Sequence, residues 1–266
     1  MTKELIAAIN AAKLAGKHAR RHFGLLTTSQ IRQKNPKDFV TEVDKVCEEL
    51  AVNFLHKKFP TDEIVAEEGT LETGSSGRRW IIDPLDGTLN FIHNFPFFAI
   101  SIALVNEENE ILCGAIYQPI LKELFTAELG GGAYFNNRRV RVSRTYKPNQ
   151  LLLATGFPYK LNEYLDQSIA LFKEMLVQCA GLRRPGSAAL DLAYTACGRF
   201  DGFWEIKLNA WDIAAGALIV KEAGGMVTDF KGNGDFLKSG HIIASNGKIH
   251  SFMLETVQRY FGLNFE

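Results

Sequence analysis

The spacing of hydrophobic positions divides the first half of the chain into recognisable elements. From Leu5 the apolar residues Ile6, Ile9, Leu14 and Ala15 recur at roughly helical spacing, and the run ends near Phe23 and Gly24, which predicts a first helix. A second is predicted from Thr41, an N-cap residue type, with Val43, Val46, Cys47, Leu50 and Phe54 on one face and Pro60 as its stop. Glu63 to Ala66 reads as a short strand running into Glu67 and Glu68, and the Gly-, Ser- and Thr-rich stretch from Gly69 to Gly77 as a mobile loop. Trp80 to Ile82 form a strand that Pro84 is expected to end, because proline has no N–H for the ladder. A short helix is expected after Asp86-Gly87. Segments 97–105, 111–117 and 123–127, rich in branched and aromatic residues, then read as an antiparallel meander against the two helices.

A polar stretch from Asn136 to Asn149 interrupts this pattern and places a subdomain boundary after Arg144, giving an N-terminal α+β part, 1–144, and a C-terminal α/β part, 145–266. In the second part helices are predicted over 164–178, 187–197, 210–223 and 248–261. Strands are predicted over 152–155, 202–205, 226–228 and 242–244, and Gly224-Gly225 marks a helix stop. The fold class is α/β in the broad, α+β sense.

Composition narrows the function. With 46% hydrophobic residues in 266, the chain can bury a sizeable core unaided. Lys plus Arg and Asp plus Glu are 30 each, so no global field draws it to nucleic acid, to an acidic membrane or to a charged protein partner, and a small ligand is the first expectation. Met1 to Ala12 carry Lys3, Glu4 and Asn10 and lack the apolar run of a signal peptide, and no later stretch is apolar enough to cross a bilayer. The four cysteines, Cys47, Cys113, Cys179 and Cys197, form no C-x-x-C pair, which fits reduced thiols in a cytoplasmic protein and argues against cysteine-held zinc. His18 and His22 lie one helical turn apart without a third ligand, and Gly130 to Gly132 match no phosphate-loop or dinucleotide pattern. No G-x-S-x-G elbow supports a serine nucleophile, and Arg138, Arg139, Arg141 and Arg144 read as a solvated strand edge.

The segment from Trp80 to Phe91 carries the chemistry. It sets Asp83 and Asp86 at the end of a buried strand with Pro84 between them, so both carboxylates and the Leu85 carbonyl can point into one small space. Two such charges side by side need a cation, or a proton shared between them. Gly87 and Thr88 follow at the first turn of a helix, where N–H groups and the helix dipole attract an anion such as phosphate.

This segment resembles the Asp-Pro-x-Asp-Gly-Thr-x-Asn-Phe signature of the inositol monophosphatase family. Trp211-Asp212-Ile213-Ala214-Ala215-Gly216 is similar to the family's second signature, followed by Glu222 to Gly225, and Ile64 to Glu68 match its upstream acidic pair. Gly186 to Tyr194 and Gly198 to Gly202 resemble the bacterial branch, so the likeness covers nearly the whole chain. It implies a layered αβαβα sandwich, with an antiparallel-sheet half and a mixed α/β half, and a magnesium-dependent, lithium-sensitive phosphatase that is usually a homodimer. By resemblance Glu67, Asp83 and the Leu85 carbonyl hold one Mg²⁺, and Asp83, Asp86 and Asp212 a second. A third, weaker ion would sit near Glu67, Asp44 and Thr88, and Mn²⁺ is a substitute metal. Asp44, otherwise a charge complementing its helix N-terminus, gains a catalytic role beside Glu67 and Thr88. Asp86, Gly87, Thr88, Ala188, Glu205 and Asp212 would contact substrate, Lys34 belongs to the family's mobile loop, and Arg183 faces either substrate or a neighbouring subunit. The chain departs from many members in following its acidic pair with Gly69 before Thr70, which questions one supporting hydrogen bond but no metal ligand.

The activity implied is hydrolysis of a phosphate monoester by metal-activated water, with myo-inositol 1-phosphate as first substrate. Fructose 1,6-bisphosphate, histidinol phosphate and 3'-phosphoadenosine nucleotides are alternatives. A regulatory factor that retains the fold and acts on protein or RNA is the alternative of another class.

Overall fold

The computed structural model describes residues 1–157, 163–263 and 265. Helix α1 (Lys3–His22) starts where the Thr2 hydroxyl accepts the Leu5 N–H, and its alanines at 8, 11, 12, 15 and 19 face inward, a face small enough for α2 to approach closely. Strands β1 (Ile31–Asn35) and β2 (Asp38–Thr41) follow as a hairpin with Lys37 in the left-handed region at its tip. The expected loop around Lys34 is therefore a paired hairpin. Helix α2 (Glu42–Lys58) begins with a capping box in which the Thr41 hydroxyl accepts the Asp44 N–H and the Asp44 carboxylate accepts the Thr41 N–H.

Strands β3 (Glu63–Ala66), β4 (Leu71–Glu72) and β5 (Arg79–Asp86) lead to the short helix α3 (Thr88–Ile92). A meander of β6 (Ala99–Val105), β7 (Ile111–Gln118), β8 (Glu123–Glu128), β9 (Gly132–Phe135) and β10 (Arg138–Arg139) completes an eight-stranded sheet ordered β10-β9-β8-β7-β6-β5-β3-β4. All its neighbours are antiparallel except β3 and β5, which run parallel. Pro84 does not end β5. The register against β6 slips by one residue between Asp83, opposite Ser101, and Asp86, opposite Ala99, and a residue in such a bulge owes the ladder no N–H.

The second sheet holds β11 (Leu152–Thr155), β12 (Gly181–Arg183), β13 (Gly202–Glu205), β14 (Met226–Thr228) and β15 (Ile242–Ser245), in the mixed order β12-β11-β13-β15-β14. Between its strands run α4 (Leu165–Gln178), α5 (Ala188–Ala196), α6 (Ala210–Glu222) and α7 (Phe236–Ser239), and α8 (His250–Phe261) follows. At three and four residues, β12 and α7 are too short for periodicity to announce.

The layers stack as α1 and α2, the eight-stranded sheet, α5 and α6, the five-stranded sheet, then α4 and α8. This is the αβαβα order. Helix α6 is buried along Ile213 to Val220 because it lies between two sheets, and an all-round apolar sequence is what such a position selects. The sheets divide between Arg139 and Leu152, yet α5 and α6 fill one core cluster with Ile81, Ile116 and Phe125, so parts 1–144 and 145–266 share a core. Among the described residues no helix is long and apolar enough to cross a membrane.

Candidate active site

The bulge that carries Pro84 through β5 also aims two carboxylates at α6. Asp83 turns back so that its Oδ1 accepts the Leu85 N–H at 2.9 Å. Asp86 is fixed across the fold, its Oδ2 accepting the Ser187 hydroxyl at 2.5 Å and the Ala189 N–H at 2.8 Å, both from the start of α5. Asp212 lies in the first turn of α6, where its Oδ2 accepts the Asn209 N–H at 2.6 Å. One ligand oxygen from each of Asp83, Asp86 and Asp212 falls within 4.8 Å of the others. Glu67 joins them from the end of β3, held by its own N–H bonding Ile82 O at 3.2 Å on the parallel neighbour strand. These groups line a cavity of about 140 Å³ together with Gly87, Thr88, Arg184, Ala188 and Glu205.

The electrostatics define what this cavity lacks. Burial pushes the Asp83 and Asp212 carboxyls well above the usual range; Glu67 and Asp86 add to the rise at Asp83, and Asp86 and Glu67 to that at Asp212. Glu67 is raised to about 8, Asp86 to about 6 and Glu205 to about 8, with withdrawal from water the first cause of each. Acceptors crowd together without matching donors, an arrangement that a cation relieves. The donor set is all oxygen, which suits a hard divalent ion and not zinc or copper. The residues present thus fit a metal site.

The comparisons with known proteins agree with this geometry. The model of the inositol monophosphatase family matches residues 1–261. The chain belongs to that family. It is 45% identical to the Nus factor SuhB of Pseudomonas aeruginosa over 263 residues, 97% of each chain, and 42% identical to the inositol-1-monophosphatase of Mesorhizobium japonicum over 252 residues, 94% of each. Among solved structures, the extragenic suppressor protein suhB of Bartonella henselae aligns with a TM-score of 0.93 at 42% identity, covering 97% of this chain and 99% of that one. The IMPase of Thermotoga maritima aligns with a TM-score of 0.89 at 39% identity, covering 97% and 98%. The protein is a phosphatase of a metal-dependent family.

Of the residues expected at the site, some line the cavity and others lie behind or outside it. Thr88 lines the cavity, and its hydroxyl is placed to donate to Asp44 Oδ1 at 2.8 Å or to Leu85 O at 3.1 Å. Asp44 itself is fully buried, its other oxygen taken by the Thr41 N–H and hydroxyl, and it does not line the cavity. It holds Thr88 from behind. Lys34 reaches from the hairpin to Glu68 at 2.6 Å and Glu67 at 3.6 Å. The Thr70 hydroxyl, questioned because Gly69 precedes it, donates to Glu48 Oε1 at 2.6 Å, and Glu48 Oε2 accepts the Glu68 N–H at 2.7 Å. Arg183 does not line the cavity. It donates to its own neighbour's carbonyl at Leu182, while Arg184, exposed like it, lines the cavity.

Three further residues escaped the sequence reading. Ser187 could have been noticed as an N-cap type before α5, but only the fold shows the same hydroxyl donating to Asp86. Asn90 Nδ2 is placed to donate to the carbonyls of Phe97, Pro185 and Gly186, tying α3 to the loop before α5. Asp191 is fully buried in α5 with neither oxygen hydrogen-bonded among the described residues, and burial followed by Glu205 and Asp86 pushes its carboxyl well up. Gly156 matters for room: a Cβ there would come within 2.1 Å of Glu205 Oε2. Gly87 takes a φ of 92°, which admits glycine and disfavours every residue with a side chain.

Proposed function

We propose that this protein hydrolyses a phosphate monoester of a small polyol, myo-inositol 1-phosphate before other esters, using two to three Mg²⁺ ions for which Mn²⁺ can substitute. The observation that carries the reading is the meeting of Asp83, Asp86 and Asp212 within 4.8 Å, in a cavity that also holds Glu67 and Thr88. Glu67, Asp83 and the Leu85 carbonyl hold one ion and Asp83, Asp86 and Asp212 the other. When bound, the metal supplies a water of lowered pKa and charge stabilisation at the phosphate and leaving oxygen.

The chain's own groups do the rest. Thr88, oriented by Asp44, aligns the attacking water, and the Glu67 carboxylate takes up its proton. The first N–H groups of α3, at Gly87 and Thr88, face phosphate oxygens. Glu205, raised to about 8, both accepts from and donates to ring hydroxyls beside Ala188, and Arg184 faces substrate, leaving a neighbouring subunit to Arg183. The active species is a cytosolic homodimer; its four cysteines are free thiols, which suits that compartment.

A panel of myo-inositol 1-phosphate, fructose 1,6-bisphosphate, histidinol phosphate and 3'-phosphoadenosine 5'-phosphate, assayed with Mg²⁺ and with a chelator, tests the reading. Inositol phosphate should turn over fastest and only with metal. Failure to cleave any ester would leave the regulatory alternative, which the 45% identity to a Nus factor favours as much as the 42% identity to an inositol-1-monophosphatase favours catalysis.

A further inference from the structure

The turn from Ile206 to Asn209 joins β13 to α6, and with it the Glu205 side of the catalytic cavity to the Asp212 side. Lys207, Leu208 and Asn209 themselves line that cavity. Lys207 takes a φ of 56°, in the left-handed region that disfavours any residue with a side chain, and such a conformation lasts only where its surroundings impose it. Main-chain bonds hold one side of the turn. The Lys207 N–H donates to His241 Nδ1 at 3.3 Å, and the Leu208 N–H donates to Gly240 O at 2.9 Å. Rings hold the other side, with the Lys207 ammonium 5.4 Å from the centre of Tyr164 and 6.0 Å from the centre of Phe265. Phe265, which follows α8, belongs to both sets of contacts. Its ring centre lies 4.5 Å from that of His241, 5.0 Å from Tyr164, 4.7 Å from Phe261 and 5.9 Å from Phe230.

We propose that Phe265 is a positioning residue for the phosphatase reaction, given the reading above that puts the ester's alcohol on the Glu205 side of the cavity. Packed on the Lys207 ammonium and the His241 imidazole at once, it keeps Lys207 in its left-handed turn and holds residues 207–209 against the alcohol. His241 and Phe230 are each 1% exposed, so the ring rests on parts of the core that do not give way. Phosphate is held elsewhere, by the β5 bulge and the start of α3. The two halves of the ester should therefore respond differently when the ring is removed.

The test uses the Mg²⁺-loaded full chain and three measurements: kinetics with myo-inositol 1-phosphate, inhibition by inorganic phosphate, and amide hydrogen exchange across the turn. Phe265→Ala should raise KM about tenfold with kcat within about threefold, leave the phosphate inhibition constant within about twofold, and speed exchange at Leu208 about tenfold. Phe265→Tyr keeps the ring and should behave as wild type. Lys207→Gly puts in a residue that tolerates the left-handed turn unaided, so adding Phe265→Ala to it should raise KM less than about threefold. If Phe265→Ala does not fold, Phe265→Leu takes its place. Unchanged KM and exchange would overturn the assignment. So would an equal rise in KM and in the phosphate constant, which general loosening of the fold produces, or a Phe265→Ala penalty undiminished beside Lys207→Gly. If the wild type cleaves no ester, it is the reading of the cavity that fails; exchange at Leu208 then decides alone, faster exchange upholding Phe265 as the support of the turn and unchanged exchange overturning it.

Discussion

Two buried carboxylates sit near opposite ends of β5, and their surroundings differ in one respect. Asp62, 1% exposed, accepts from the Ser76 hydroxyl at 2.7 Å, from Arg78 Nη2 at 3.0 Å to both oxygens, and from Trp80 Nε1 at 3.1 Å; Arg78 also pairs with Glu4. Asp83, equally 1% exposed, accepts the Leu85 N–H and otherwise faces Glu67, Asp86 and Asp212. Burial alone therefore does not mark a functional carboxylate. What marks it is the absence of donors, because a negative charge in a dry site is stable only with a partner, and the fold leaves Asp83 to find one from outside.

Replacing each in turn breaks or sharpens the contrast. Asp83→Asn should lower phosphatase turnover by about 1000-fold, the loss of several kcal/mol of charge stabilisation at the phosphate. The metal-free melting temperature should stay level or rise, since the change removes one of four crowded carboxyls. Asp62→Asn should do the reverse: a loss of about 3 kcal/mol in urea unfolding, as for a broken buried ion pair, with turnover per folded molecule within about twofold of wild type. If Asp83→Asn destabilised the protein as Asp62→Asn does, Asp83 would be a structural carboxylate and the metal reading would fail.

The same two sites show how much of the molecule could be read along the chain. Asp83 and Asp86 were legible because a proline between two acids after an apolar run is a local pattern. Glu67 and Asp212 entered only through resemblance, since nothing nearby in sequence says that β3 and α6 deliver them to the same cavity. The main helices and strands followed from period and turn residues. Pro84 inside β5 did not, because a bulge depends on the neighbouring strand's register. Arg184, which lines the cavity just beyond the end of β12, drew no notice, because nothing along the chain distinguishes it from Arg183. The Asp62 cluster drew no notice at all, its donors being spread over Glu4, Ser76, Arg78 and Trp80.

Ser187 makes a smaller and finer test, because one hydroxyl serves both kinds of role. It accepts the Leu190 N–H as the cap of α5 and donates to Asp86 at 2.5 Å. Ser187→Ala should cost about 1 kcal/mol of stability from the cap and raise the Mg²⁺ concentration for half-maximal activity by about 10- to 100-fold, the usual effect of removing a group that orients a metal ligand. Ser187→Thr should restore both. Loss of stability with an unchanged Mg²⁺ requirement would leave Ser187 as a helix cap and nothing more.

The smallest expected effect is a slope. Glu67 and Glu205 hold their protons in the folded chain up to about pH 8, whereas in the unfolded chain they release them near the ordinary value of 4.5. Between these limits the native state binds more protons, so raising the pH destabilises it. His250 works the other way at lower pH: burial lowers its pKa from 6.5 to about 4, so the stability it contributes is lost as the pH falls through that interval. The two opposing trends separate above pH 6.5, where His250 is neutral in both states. From pH 6.5 to 8 the metal-free protein should therefore lose stability, by roughly 1–2 kcal/mol for each such carboxyl, and Glu205→Gln should remove its share of the decline. Saturating Mg²⁺ should raise the melting temperature more at pH 8 than at pH 6.5, because ions then replace protons that the cavity is otherwise obliged to keep. Asp62→Asn should leave this slope unchanged, its donors lying outside the acidic cavity. A metal-free melting temperature that climbed from pH 6.5 to 8 would mean that the carboxylates at the Asp83 end are already balanced within the chain, like Asp62.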